Sequence, residues 1–146
     1  MQLSVVILNY NVKYFIDVCI QSVLAATKDL DAEVILVDNA SEDGSVEWIS
    51  QQFPQVKQIN NSENVGFPKG NNIGVAQAKG EFLCILNPDT VVAEDTFTSA
   101  ISFIENNRQV AIMGPKLIDG SGTFLKESKR GVPTPAVAFS KVAGLY

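Results

Sequence analysis

The sequence predicts an α/β fold: a three-layer α/β/α sandwich built on a mostly parallel sheet. Short strand-like runs recur at residues 3–8, 34–37, 56–59, 82–86 and 110–113, all but 56–59 predominantly apolar. Between them lie segments whose apolar residues return at three- and four-residue steps, the helical period. Alternation of this kind produces parallel strands with helices on both faces. The first four runs also end in polar clusters, which such a sheet gathers at one edge.

Residues 3–8 are apolar except for Ser4 and stop at Asn9-Tyr10-Asn11, which reads as a strand buried on both faces. The helix after it presents Phe15, Val18, Cys19, Ser22, Val23 and Ala26 as one face. Residues 34–37 form the second strand, closed by Asp38-Asn39. A helix then starts at Asp43 or Ser45, carries Val46, Trp48, Ile49 and Phe53, and ends at Pro54. Residues 56–59 are a short third strand and residues 60–66 a polar loop. Residues 71–78 read as helical, stopping at Gly80. The fourth strand, 82–86, ends at Asn87-Pro88-Asp89-Thr90, and the next helix carries Phe97, Ala100, Ile101 and Ile104. Residues 110–113 are a fifth strand, ended by Gly114-Pro115. Asp119-Gly120-Ser121-Gly122, between residues 116–118 and 123–125, has the turn chemistry of a hairpin. From Glu127 the chain is basic, then rich in Gly and Pro, then apolar at Phe139, Val142 and Leu145. That apolar end lacks a polar cap and reads as a cut within a longer fold.

With 46% apolar and 18% charged residues, the chain can bury a real core. The net charge of −5 argues against a nucleic-acid partner. It does not exclude a diphosphate, which local N–H donors and one metal ion can hold on an acidic protein. There is no histidine, so acid–base chemistry falls to Asp, Glu, Lys, Tyr or Cys. Any metal should be a hard, oxygen-liking ion, Mg²⁺ or Mn²⁺. Cys19 and Cys84 sit in apolar patterns and read as buried thiols of a reducing compartment. The start of the chain has no charged n-region, and no apolar stretch approaches the roughly 20 residues that span a bilayer. The expectation is a soluble, cytoplasmic chain.

The candidate site residues lie in the polar clusters. Asp38 ends an apolar strand; its carboxylate either accepts the imide N–H of a uracil or thymine ring or caps the turn through Ser41. Tyr10 either stacks on a base or packs in the core. The segment 64–74 is rich in Gly and Asn; glycine permits close backbone approach, and Lys69 supplies a point charge for phosphate. Its spacing is neither the P-loop nor the dinucleotide pattern. Asn87-Pro88-Asp89 places a carboxylate just past a strand, either to hold a divalent ion that bridges phosphates or to make an ordinary turn.

These residues resemble family 2 of the inverting glycosyltransferases, which has the GT-A fold, and most of all its rhamnosyltransferase-like branch. The resemblance rests on Ser4-Val-Val-Ile-Leu-Asn-Tyr-Asn11, Val37-Asp-Asn-Ala-Ser-Glu-Asp-Gly-Ser45, Asn64-Val-Gly-Phe67 with Gly70-Asn-Asn-Ile-Gly74, and Leu86-Asn-Pro-Asp-Thr90. Gly114-Pro-Lys-Leu-Ile118 and Lys129-Arg-Gly-Val-Pro-Thr-Pro135 fit as well. The resemblance implies that residues 1–146 are the nucleotide-sugar-binding part of a catalytic domain, with 116–146 opening the acceptor side. Asn9 and Tyr10 would line the nucleoside pocket, and Asp38 would contact the base. Gly66 and Asn72 would shape the base and ribose wall, with Lys69 near the phosphates. Asp89 would be the metal-binding end of a DxD-type motif whose first position is here Asn87. The implied reaction passes a sugar from a UDP- or dTDP-linked donor to a glycan or lipid-linked acceptor with inversion; with a lipid-linked or cell-wall acceptor the full enzyme would work at the inner membrane face. The catalytic base is expected beyond Tyr146, so the chain itself should bind donor without transferring it. A homodimer is a further expectation.

Other classes compete. A non-catalytic nucleotide-binding or regulatory module shares the pattern. A receiver domain would need an acidic cluster where Asn9 and Asn11 stand, and a dehydrogenase would need GxGxxG after the first strand.

Overall fold

The computed structural model describes residues 1–125. The chain divides into two compact units, Met1–Asn107 and Arg108–Tyr146. The first unit runs β1 (Leu3–Asn9), α1 (Lys13–Thr27), β2 (Ala32–Asp38), α2 (Ser45–Gln52), β3 (Lys57–Asn60), α3 (Phe67–Val75), β4 (Phe82–Leu86) and α4 (Thr96–Asn106). The strands form one sheet in the order β3-β2-β1-β4, and every pairing is parallel.

Alternation along the strands splits the core into two layers. Leu3, Val5 and Ile7 of β1 and Val34 and Leu36 of β2 pack with α1, α2 and α4 through Ile16, Cys19, Ile20, Val23, Ile49, Phe97 and Ile101. Val6 and Leu8 of β1 and Ile35 and Val37 of β2 face the other way, toward Ile73 of α3. Ser4, the one polar residue in the first apolar run, is fully buried, and its hydroxyl is satisfied. It donates to Glu33 Oε1 at 2.8 Å and accepts the N–H groups of Lys79 and Gly80.

α3 lies close on the sheet because it carries glycines at the contact. A Cβ on Gly70 would come within 2.5 Å of Leu8 Cδ1, and one on Gly74 within 2.5 Å of Val6 Cγ1 and 2.9 Å of Val37 Cγ2. The helix begins after Gly66, at φ +82°, and takes Pro68 in its first turn, where a missing N–H costs nothing.

Several expectations are corrected here. α3 spans Phe67–Val75 and not residues 71–78, since the Gly and Pro that read as loop chemistry serve helix entry and packing. On α1, Phe15 and Val18 are exposed, while Ile16 and Ile20 join Cys19, Val23 and Ala26 inside. β4 is not buried on both faces: Phe82, Cys84 and Leu86 meet the α1 side, but Leu83 and Ile85 are 44% and 52% exposed. α3 packs on β1 and β2, leaving that flank of β4 open among the described residues. Residues 110–113 form no strand, and Ile112 is 91% exposed. An apolar run becomes a strand only when it finds a pairing partner, and no described residue pairs with this one.

In the second unit the expected hairpin is a minimal one. Ile118 and Phe124 form an antiparallel bridge, and Leu125 N donates to Leu117 O at 3.0 Å. Asp119 Oδ1 gathers the N–H groups of Ser121 and Thr123 and the Ser121 hydroxyl, which holds its carboxyl below the usual range. The segment 129–135, Glu127 and the apolar end at Phe139, Val142 and Leu145 lie outside the described residues.

No described helix is long and apolar enough to cross a membrane.

Candidate functional site

Three strands of the first unit, β1, β2 and β3, end in register. Asn9 of β1 aligns with Asp38 of β2, and Asp38 with Asn60 of β3. The loops leaving these ends meet in two hydrogen-bonded clusters, both anchored on the β2–α2 loop.

The first cluster joins that loop to the β1–α1 turn. Asn9 Nδ2 lies 2.7 Å from Asp38 Oδ1, 2.8 Å from Ser45 Oγ and 3.1 Å from Ser41 Oγ. Asp38 is 1% exposed; Oδ1 also accepts from the Ser41 hydroxyl at 2.6 Å, and Oδ2 accepts from Ser41 N at 2.8 Å. Its carboxylate therefore caps the turn through Ser41, one of the two roles its position allowed. Asn11 N donates to Ser41 Oγ at 3.0 Å, and Asn11 Oδ1 accepts from Glu42 N at 2.8 Å. Asp43 takes the N–H of Lys13 at 2.8 Å and that of Ser45 at 3.0 Å, linking the first turns of α1 and α2. Partial burial opposes the Asp43 charge, but these bonds together outweigh it and lower its pKa.

The second cluster joins the β2–α2 loop to the loop before α3. Asn39, 2% exposed, donates through Nδ2 to Asn64 Oδ1 at 3.2 Å and accepts from Asn61 Nδ2 at 2.8 Å. Asn64 Oδ1 in turn receives Gly66 N at 2.9 Å. Ser41, Asn39, Asn61 and Asn64 were not among the candidate site residues, although Asn39 closed a strand-end cluster and Ser41 marked the turn that Asp38 was expected to cap. The signal was present in the density of Asn and Ser after the strand ends, but those types are also ordinary turn formers.

Tyr10 stands between Asn9 and Asn11 and is 47% exposed, so its ring is open to a ligand and is not core. Lys69 and Asn72 are exposed on α3, downstream of Gly66. Buried acceptors without a partner among the described residues are Asn9 Oδ1 and Asn71 Oδ1.

Past β4, Asn87 and Asp89 are exposed. The Asn87 carbonyl is fixed from two sides: Cys19 Sγ donates to it at 3.6 Å and Thr90 N at 3.3 Å. Further along, Val92 N donates to Ser22 Oγ at 3.2 Å, so α1 holds both ends of this loop. Burial pushes the Cys19 thiol up to about 12 and raises that of Cys84; both cysteines are free. No three carboxylates or thiols gather as a closed metal cage among the described residues. The structure thus brings Asn9, Tyr10, Asp38 and Gly66 to adjoining loops. Asn87 and Asp89 stand beyond β4, the other neighbour of β1.

A parallel sheet with helices on both faces and its polar loops at the C-terminal edge defines an α/β domain of the kind that places ligand sites at that edge. Residues 4–142 match the family described as Glycosyl transferase family 2. The chain belongs to that family. It is 31% identical over 138 residues to an uncharacterised glycosyltransferase of Nostoc sp., covering 91% of this chain and 42% of that protein. It is 28% identical over 148 residues to the poly(ribitol-phosphate) beta-glucosyltransferase of Bacillus spizizenii, covering 97% of this chain and 23% of that protein. The chain therefore spans well under half the length of these curated relatives. Among solved structures, Staphylococcus aureus TarS 1–349 superposes with a TM-score of 0.66 at 27% identity, over 74% of this chain and 33% of that one. The TarS fragment has been solved in complex with UDP and with UDP-GlcNAc. The mannosyltransferase of Pyrobaculum calidifontis, at 24% identity and a TM-score of 0.64 over 70% of this chain, shares the fold. The fold is that of the GT-A glycosyltransferases.

Proposed function

We propose that this chain is the donor-binding part of an inverting glycosyltransferase that uses a UDP- or dTDP-linked sugar and a glycan or lipid-linked acceptor. The observation that carries the reading is the aligned edge Asn9–Asp38–Asn60, with the loops beside it locked together. In this reading the exposed Tyr10 ring stacks on the base. Asp38 and Asn9, committed to each other, form the floor beneath the base, and Asp38 acts on the ligand by fixing the turn at Ser41. Gly66 and Asn72 form the opposite wall. Lys69, in the first turn of α3, faces the phosphates from the N-terminal end of that helix. The UDP complexes of TarS, a relative of the same fold, support a uridine nucleotide as the first ligand to try.

The residues past β4 fit a Mg²⁺ or Mn²⁺ ion. Such an ion needs only one or two protein carboxylates when a diphosphate and waters supply its other oxygens. Asp89 is one exposed carboxylate on a loop whose backbone is pinned at Asn87. Asn87, as an amide, is left to contact ribose or water. A bound ion would offset the charge on the departing nucleoside diphosphate.

Calorimetric titration with UDP and dTDP, with and without Mn²⁺, tests both parts. Wild-type chain should bind one of them better with Mn²⁺. Asp89→Ala should weaken the metal-dependent binding by about tenfold or more, equivalent to about 1.4 kcal/mol. Unchanged affinity in Asp89→Ala would remove the metal role. Failure of the wild type to bind either nucleotide would remove the donor site.

A further inference from the structure

We infer that Asn11 is a positioning residue for the nucleoside: it holds the turn that carries Tyr10, and so sets the direction of the ring. The inference rests on the donor-site reading and deepens it. Asn11 has φ +54°, a left-handed conformation that asparagine tolerates better than most residues. In that conformation the residue reaches the β2–α2 loop through both its backbone and its side chain. Its N–H meets Ser41 Oγ at 3.0 Å, and its Oδ1 meets Glu42 N at 2.8 Å.

The residue on the other side of Tyr10 is fastened to the same loop. Asn9 is fully buried and reaches Asp38, Ser41 and Ser45. Tyr10 is thus a half-exposed ring between two anchored neighbours. Its backbone is clamped at both ends, which fixes the direction in which its Cα–Cβ bond leaves the turn. Asn9 is part of the packed interior, so its loss would disturb the fold. Asn11 is exposed, and its bonds lie at the surface. Removing them should leave the core intact while freeing the turn that carries Tyr10. A ring that must be ordered on binding costs affinity that a pre-ordered one does not.

Two substitutions separate the hydrogen bond from the backbone requirement. Asn11→Gly keeps the left-handed conformation but removes the acceptor for Glu42 N. Asn11→Asp keeps both. UDP affinity by calorimetry and the thermal midpoint are measured for each, in the wild-type background and in Tyr10→Ala. Asn11→Gly should weaken UDP binding about fivefold, the size expected for one lost hydrogen bond, while Asn11→Asp restores most of the affinity. In the Tyr10→Ala background, Asn11→Gly should cost less than about twofold further, since the two act through one ring. Equal losses in both backgrounds, or no loss in the wild type, would overturn the inference. If Tyr10→Ala leaves UDP affinity unchanged, stacking itself is wrong and the inference falls with it. If Tyr10→Ala weakens UDP and Asn11→Gly does not, only the role of Asn11 is lost.

Discussion

Ala40 carries a strain that its neighbours do not share. It sits at φ +60° in the β2–α2 loop, where a Cβ is disfavoured. Asn11, also left-handed, recovers part of the cost through its amide; Ala40 has no polar side chain with which to do so. Ala40→Gly should raise stability by about 0.5–1 kcal/mol, read as a higher urea midpoint with an unchanged slope. The strained position lies between Asn39, bonded toward α3, and Ser41, bonded toward α1, so the loop turns where its two clusters divide. At this scale the sequence was half legible. Asp38 and Asn9 stood out as strand-end polar residues, and they do meet. Nothing local told whether the Asp38 carboxylate faced a ligand or its own turn, because both uses need the same residue at the same place. Tyr10 was equally ambiguous until its exposure was known.

At the scale of elements, α3 shows most clearly how packing overrides local signals. Gly70 read as a loop residue before the helix and Gly74 as a residue within it, yet each removes a Cβ that would strike β1 or β2. Gly74→Ala should destabilise the chain by about 1–3 kcal/mol, since neither Val6 nor Val37 has a flexible end to move aside. Val6→Ala in the same chain should recover part of that loss, and chemical denaturation of the four members of the cycle measures the coupling. Elsewhere legibility followed the number of constraints on each run. β4 has the bounds its apolar run gave, Phe82–Leu86. α1 has its helix in the expected place but turned, because apolar residues occur nearly all round its start and periodicity alone could not choose between Phe15 and Ile16. Residues 110–113 failed for another reason: their composition suits a strand, but pairing is a property of the partner.

Across the whole molecule, the chain has no side chain whose ordinary pKa lies between pH 5 and 8, since it lacks histidine. Its acid response should therefore come from carboxylates, and Asp43 is one that ties α1 to α2, as Asp17 also does by accepting from Trp48 Nε1. The folded pKa of Asp43 is lowered, so its contribution is complete above the unfolded value of about 3.9 and is lost as the pH falls through the lower folded value. Stability measured by denaturation from pH 6 down to pH 2 should fall less steeply in Asp43→Asn than in wild type over that acid window; parallel curves would show that the carboxylate is not linked to folding. The place of β1 has a consequence of another kind. It is an inner strand, and Leu3 pairs with Ala32 on one side and with Phe82 on the other. During synthesis, β1 emerges before either partner, and its β4 edge stays bare until most of the first unit has left the ribosome. The seam that binds Asn9 to Asp38 can close early, but the β1–β4 seam waits for a much longer loop to close. A nascent chain of this protein therefore holds an apolar strand half-paired until β4 has emerged. The slow, aggregation-exposed moment of its life precedes the first appearance of Asp89.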